Sequence, residues 1–113
     1  MKFAVLLHQD EQVWADMSPE GRAQYHRDHE AFQAAVAERG AKILGGEVLD
    51  SVAAATTVRR RGSEVVVTEG PFAETVEQLG GFYLVDAPDL DVLVDLVRLL
   101  PPHTIELRPV VEL

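Results

Sequence analysis

The stretch that decides the fold is the C-terminal third, residues 81–111, GFYLVDAPDLDVLVDLVRLLPPHTIELRPVV. Its first part, residues 81–86, is apolar at the centre and predicts a β-strand. Asp89 then suits the N-cap of a helix, and the proline pair at 101–102 ends that helix. Residues 104–111 predict a further strand, so this third reads as a strand-helix-strand unit. The predicted buried face of the helix comprises Leu90, Leu93, Val94, Val97 and Leu100.

The N-terminal half repeats the same order of elements. Residues 2–8 predict a strand with two largely apolar faces. Ser18 suits the N-cap of a long helix, and Gly40 is a natural left-handed terminator just beyond its last turn. Residues 41–49 predict the second strand of this half. The glycine pair at 45–46 inside that strand indicates a bulge or a close backbone approach.

A hairpin is predicted between the two halves. Residues 56–60 and 64–68 are rich in β-formers, and residues 61–63 form the tip between them. The complete order is therefore β-α-β, a β-hairpin, and β-α-β. This order predicts one ferredoxin-like α+β domain over residues 1–113, with an antiparallel sheet.

The two helices are expected on one face of this sheet, because right-handed crossovers place them together. The opposite face would then be partly apolar and uncovered, which costs free energy in water. Packing two such sheets face to face in a symmetric pair removes the cost. The pattern therefore predicts a homodimer.

Composition and charge narrow the function classes. The chain has a net charge of −9, which argues against nucleic acid or an anionic membrane surface as a partner. The basic run Arg59-Arg60-Arg61 is interpreted as a solvated hairpin tip. The chain contains no cysteine, which excludes disulfides, thiolate nucleophiles and cysteine-type zinc sites. The N-terminus reads as a strand and not as a signal peptide, so a cytoplasmic location is predicted.

The segment TEGPFAETVEQLGGFY, residues 68–83, resembles the signature of the YCII-related family in its DGPF branch, which is named for an Asp-Gly-Pro-Phe tetrapeptide. Further segments fall in matching order along nearly the whole chain: Met1-Lys2-Phe3, His29-Glu30-Ala31-Phe32, Gly45-Gly46-Glu47 and Glu106-Leu107-Arg108-Pro109-Val110. The resemblance implies a dimeric barrel built from two ferredoxin-like halves, in agreement with the pattern of elements.

The resemblance also suggests a chemistry, although most of this branch has no assigned activity. Some related proteins are lyases or dehalogenases of chlorinated aromatic degradation, and a His on the first helix with an Asp is a proposed catalytic pair. In this chain the pair corresponds to His29 and Glu69. This chain differs from the family motif at two positions, which weakens the assignment of the catalytic pair: Glu69 replaces the Asp, and Val76 replaces a usual Lys. Members often lie beside extracytoplasmic-function sigma factors, which suggests a regulatory context.

Several residues are candidates for a site near the first helix. His29 lies on the apolar stripe of that helix, where an imidazole is either a hydrogen-bonded core group or a general acid/base. Tyr25 lies one turn away on the same stripe. Glu69, Phe72 and Glu74 belong to the Gly-Pro-Phe turn, where side chains can meet a substrate.

A second group of candidates is expected in the interior between the two sheets. Glu106 and Arg108 alternate away from the helix-facing side of the last strand, and His8 ends the first strand. Their arrangement fits either an intersubunit ion pair or an anion clamp that uses the arginine fork. The histidines show no metal-ligand spacing and no phosphate loop is present, so neither a metal nor another cofactor is predicted.

Three functions remain open from the sequence. The first is a small enzyme with a pocket between the first helix and the Gly-Pro-Phe loop, where His29 and Glu69 act on a small aromatic or halogenated compound. The second is a non-catalytic ligand-binding or regulatory homodimer. The third is a purely structural subunit.

Overall fold

The computed structural model describes residues 1–113 and contains six strands, three helices and a single 3₁₀ turn at Val52–Ala54. The strands are β1 (Lys2–Gln9), β2 (Lys42–Val48), β3 (Thr56–Arg61), β4 (Glu64–Glu69), β5 (Gln78–Asp86) and β6 (Thr104–Pro109). The helices are α1 (Glu11–Ala15), α2 (Pro19–Glu38) and α3 (Leu90–Val97). No helix is long and apolar enough to cross a bilayer.

Four strands form one antiparallel sheet in the order β2-β5-β1-β6. The two remaining strands, β3 and β4, pair only with each other in a separate antiparallel hairpin. This arrangement confirms the predicted ferredoxin-like α+β fold with an inserted hairpin.

The core lies between this sheet and the two longer helices. Alternate residues of β1, at positions 3, 5 and 7, are buried against α2 and α3. Phe32 of α2 and Leu93 of α3 are completely buried in the same cluster. The predicted burial of Leu90 and Val94 is wrong, since both are exposed. The predicted burial of Leu93 and Leu100 is confirmed, and Leu96 is buried with them; Leu100 lies just beyond the last residue of α3.

The helix caps follow the sequence signals. The Ser18 hydroxyl accepts a hydrogen bond from the Gly21 amide at 3.0 Å, and the Asp89 carboxylate accepts one from the Val92 amide at 2.9 Å. Helix α1 was not predicted, because residues 9–17 read as a connection. The Asp10 carboxylate accepts a hydrogen bond from the Gln12 amide at 3.0 Å and caps this short helix.

The glycine pair of β2 lies at an irregularity in the pairing with β5, between Ile43 and Gly45. A Cβ atom on Gly46 would lie 2.7 Å from the carbonyl oxygen of Phe82, whereas one on Gly45 would meet nothing within 4 Å. Both predicted reasons for the pair, a bulge and a close backbone approach, are therefore present.

Strands β3 and β4 extend from the body as an arm, which we call the hairpin arm (residues 56–69). Its two-residue turn has Gly62 at a φ of 61°, the conformation that a glycine adopts without strain. The radius of gyration of the chain is 16.2 Å. A compact domain of this length has about 13 Å, so the chain is extended for its size.

Candidate functional site

A pocket of about 490 Å³ lies beside α2, bounded by α1 and by the neighbouring strands β2 and β5. This volume is within the range of small-molecule sites. Aromatic and imidazole side chains form part of its walls, together with aliphatic, glycine and polar residues: Trp14, Tyr25, His26, His29, Gln33, Glu47 and Tyr83 are among the lining residues. Aromatic faces of this kind suit a flat, largely apolar molecule.

One short hydrogen bond connects α2 to the sheet at the pocket wall. The Nδ1 atom of His29 lies 2.6 Å from the hydroxyl oxygen of Tyr83. The side-chain amide of Gln33 donates to the same hydroxyl oxygen at 3.2 Å. Because Gln33 already donates to this oxygen, we assign the Tyr83 hydroxyl as the donor to His29.

The surroundings of His29 favour a neutral imidazole. Burial lowers the pKa of His29, and the nearby His26 lowers it further, while Asp28 acts in the opposite direction. The Nε2 atom is buried and has no hydrogen-bond partner in the chain. A neutral imidazole near pH 7 is able to accept a proton at Nδ1, which is the atom that faces Tyr83.

Tyr25 is the centre of an aromatic cluster around His29. Its ring centroid is 4.9 Å from that of His29, 5.0 Å from that of Trp14 and 5.4 Å from that of His103. Burial raises the pKa of Tyr25, and the nearby Tyr83 raises it further. The cluster thus keeps the Tyr25 hydroxyl in its protonated form.

His103, in the loop between α3 and β6, also belongs to this cluster. Burial lowers the pKa of His103, and its neighbour His29 lowers it further. Its Nε2 atom, like that of His29, is buried without a hydrogen-bond partner. The two imidazoles therefore lie together in a region that disfavours positive charge.

Arg22 fixes the position of Trp14 at the opposite wall. The guanidinium lies over the indole, 4.6 Å from the ring centroid, and donates to the Trp14 carbonyl at 2.9 Å. Stacking and hydrogen bonding of this kind hold the unpredicted helix α1 against α2. The short helix consequently supplies one wall of the pocket.

The structure does not bring the Gly-Pro-Phe turn to His29 within one chain. Glu69 ends β4 and pairs with Thr56, and its carboxylate neither lines the pocket nor makes a hydrogen bond or ion pair. Phe72 is 77% exposed, and Glu74 is also exposed. The side chain that forms a hydrogen bond with His29 in this chain is that of Tyr83, which comes from the adjacent Gly-Gly-Phe-Tyr segment.

His8, Glu106 and Arg108 lie on the sheet face opposite the helices, which we call the open face. The His8 Nε2 atom is 3.6 Å from a carboxylate oxygen of Glu106, and the Arg108 guanidinium donates to the same carboxylate group. Hydrogen bonding from Arg108 lowers the pKa of Glu106, with His8 acting in the same direction. These three residues form an ion-pair group that is separate from the pocket.

The site could be predicted only in part. Tyr25 and His29 were candidates and do lie together. Tyr83, Gln33 and His103 were missed. The only sequence signal for Tyr83 is its place two residues after Gly81, where a Cβ atom would lie 3.0 Å from the backbone oxygen of Glu47 on the neighbouring strand.

Comparison with known proteins identifies the relationship. A family model described as YCII-related domain matches residues 1–113. A protein of Rhizobium meliloti (strain 1021), itself named as uncharacterised, is 42% identical over 98 residues. That alignment covers 87% of this chain and 78% of the relative.

Proposed function

This chain belongs to the YCII-related family, and we propose that its pocket binds a small, flat, largely apolar molecule and transfers a proton to or from it. The Glu-Gly-Pro-Phe segment at residues 69–72 supports a place in the DGPF branch. The name of the relative gives no activity, so the proposal depends on the geometry of the pocket.

The observation that carries the proposal is the 2.6 Å hydrogen bond between Tyr83 and His29 at the pocket wall. In the proposed step, the Tyr83 oxygen accepts a proton from the bound molecule while its own hydroxyl proton moves to Nδ1 of His29. Both groups are restored when the imidazolium passes its extra proton back through Tyr83 to water after the product has formed. Tyr83 thus contacts the substrate, and His29 stores the proton as an imidazolium ion.

This step fits the lyase or dehalogenase reactions suggested by the resemblance. Removal of a proton from the carbon next to a C–Cl bond allows a C=C bond to form as chloride leaves. The aromatic walls formed by Trp14 and Tyr25 suit the flat ring of such a compound. In the single chain, Tyr83 takes the position beside His29 that the resemblance assigns to Glu69.

The protein is proposed to work as a homodimer that packs through its open face. Four apolar side chains on this face, at positions 4, 6, 82 and 84, are only half-buried in the single chain. The neighbouring ion-pair group of His8, Glu106 and Arg108 would become part of the interior between the two sheets. A sheet face of this composition is stabilised by packing against a second sheet.

Binding and turnover can be tested separately. We would titrate 4-chlorocatechol while following the indole N–H signal of Trp14 by NMR, and measure chloride release from a chlorinated unsaturated lactone. For the wild type we expect a shift of the Trp14 indole N–H signal and release of chloride. For His29→Asn we expect the same shift without chloride release. Arg27→Gln, on the exposed side of α2, serves as the control and should behave as the wild type.

Two results would change the assignment. Binding at Trp14 without chloride release in the wild type would favour the non-catalytic ligand-binding or regulatory homodimer, which uses the same pocket. Chloride release that persists in His29→Asn would show that His29 does not take part in the proton transfer. The absence of any Trp14 response would contradict the pocket itself.

A further inference from the structure

The hairpin arm leaves an unusual amount of apolar surface in water. Val58, Val65, Val66 and Val67 are 46–62% exposed, and every residue of the arm except Thr57 is exposed. A two-stranded hairpin is at best marginally stable in water without a further layer. The arm therefore needs a surface on which to pack, and the rest of its own chain does not supply one.

The charge of the arm is opposite to that of the rest of the chain. Three arginines and two glutamates give residues 56–69 a net charge of +1. Because the whole chain has a net charge of −9, the remaining residues have a net charge of −10. Arg59, Arg60 and Arg61 form no ion pair within the chain, although acidic residues outnumber basic ones almost twofold. Arg59 and Arg60 instead donate to the main-chain carbonyls of Phe72 and Gly62.

The two faces of the arm also differ. Successive side chains of a strand alternate between the faces, and cross-strand partners share a face. Val58, Val65 and Val67 therefore lie on one face together with Arg60, whereas Val66 lies on the other face with Arg59 and Arg61. The face with three valines is thus the one suited to apolar contact, and it carries one of the three arginines.

We propose that the hairpin arm packs on the acidic body of a second copy of this chain. Val58, Val65 and Val67 would cover apolar surface of the partner. Arg60 beside them, and Arg59 and Arg61 on the other face of β3, would meet the surplus carboxylates of the partner. A second copy fits because it presents the complementary charge of −10, whereas a nucleic acid would be repelled by that body. The inference rests on the proposed homodimer and adds a second contact region to the open face.

The first test is hydrogen exchange of the arm at protein concentrations above and below the dimer dissociation constant, with light scattering on the same samples. We expect the backbone amides on the outer edges of β3 and β4, which do not pair with the other strand, to be protected from hydrogen exchange only in the dimer. If the arm amides exchange as fast in the dimer as in the monomer, the proposed arm contact is wrong, but the dimer through the open face is not contradicted. A monomer at all concentrations would overturn both.

The second test changes the charge of the arm. The triple variant Arg59→Glu, Arg60→Glu, Arg61→Glu should raise the dimer dissociation constant about tenfold or more, because each substitution opposes an acidic partner surface. The control variant Arg27→Glu, Lys42→Glu, Arg98→Glu has the same net charge but an unchanged arm. Equal dissociation constants for the two variants, with both folded by circular dichroism, would contradict the proposal.

Discussion

At the scale of single residues, the site depends on a contact between two side chains that lie 54 positions apart in the sequence. The Tyr83 hydroxyl connects the central sheet to His29 of α2, and Gln33 holds the hydroxyl from the other side. Such a chain of hydrogen bonds fixes both the rotamer of Tyr83 and the tautomer of His29. The chemistry proposed for the pocket requires both.

The first prediction concerns this hydrogen bond. Tyr83→Phe should lower the free energy of unfolding by about 1 kcal/mol and raise the pKa of His29 towards its ordinary value, because the donor that favours the neutral imidazole is lost. Urea denaturation and NMR titration of the His29 ring measure the two effects. Tyr25→Phe is the matched control, since its hydroxyl makes no hydrogen bond to His29 and its removal should leave the titration almost unchanged.

The second prediction concerns pH. Burial lowers the pKa values of His29 and His103 in the folded chain, so the unfolded chain binds protons first as the pH falls below about 6.5. The free energy of unfolding should therefore be highest above this pH and decrease as the pH falls below it. Thermal unfolding at several pH values measures whether stability falls as the pH is lowered.

The double variant His29→Gln, His103→Gln provides the control for this effect. Its melting temperature should vary less with pH over the same window, because the two groups that titrate have been removed. An unchanged slope would show that other groups cause the pH dependence. The low pKa of Glu106 affects stability only at lower pH, outside this window.

At the scale of elements, the glycine pair of β2 determines how closely this strand approaches β5 beside the pocket. Gly46 lies opposite Tyr83, so the spacing of the two strands also sets the position of the Tyr83 ring. Helix α1 closes the other side and carries Trp14. The pocket is thus defined by a strand that needs glycine and by a helix of only five residues.

The third prediction separates the two glycines. Gly46→Ala should destabilise the fold by about 1–3 kcal/mol, because its Cβ would lie 2.7 Å from the Phe82 carbonyl oxygen and the strands must move apart. Gly45→Ala has open space and should change the stability by less than about 0.5 kcal/mol. Chemical denaturation of both variants measures the difference, and equal losses would contradict the close approach.

At the scale of the whole molecule, the sheet has two unlike faces. One is covered by α2 and α3, and the other presents half-buried apolar side chains beside the group of His8, Glu106 and Arg108. A single chain leaves the second face in water. The proposed homodimer removes this surface, and the hairpin arm would extend the same interface.

The fourth prediction tests this interface. Leu84→Glu places a carboxylate at the centre of the open face and should convert a dimer into a monomer, because a buried unpaired charge is strongly unfavourable. Leu90→Glu changes the charge equally at an exposed position on α3 and should leave the dimer intact. Multi-angle light scattering distinguishes the two results, and a wild type that is monomeric at micromolar concentration would contradict the homodimer.

The fold was largely predictable because its signals are local. Short runs of apolar and β-forming residues predict the strands, Ser18 and Asp89 cap the two longer helices as expected, and Gly45-Gly46 marks the irregular strand. Helix α1 escaped prediction because five residues carry too short a periodic pattern, even though Asp10 caps them. The inward face of α3 was misjudged because nearly every position of that helix is apolar.

By itself, the sequence determined the order of the elements, the unlike faces of the sheet and the position of His29 on α2, since these follow from spacing along the chain. Only the tertiary structure decided that Tyr83, Gln33 and His103 surround His29 and that Glu69 lies away from it. The reason is physical. Local patterns specify which way a side chain points within its element, whereas the neighbours of that side chain depend on strand register and helix packing, which join residues far apart in sequence.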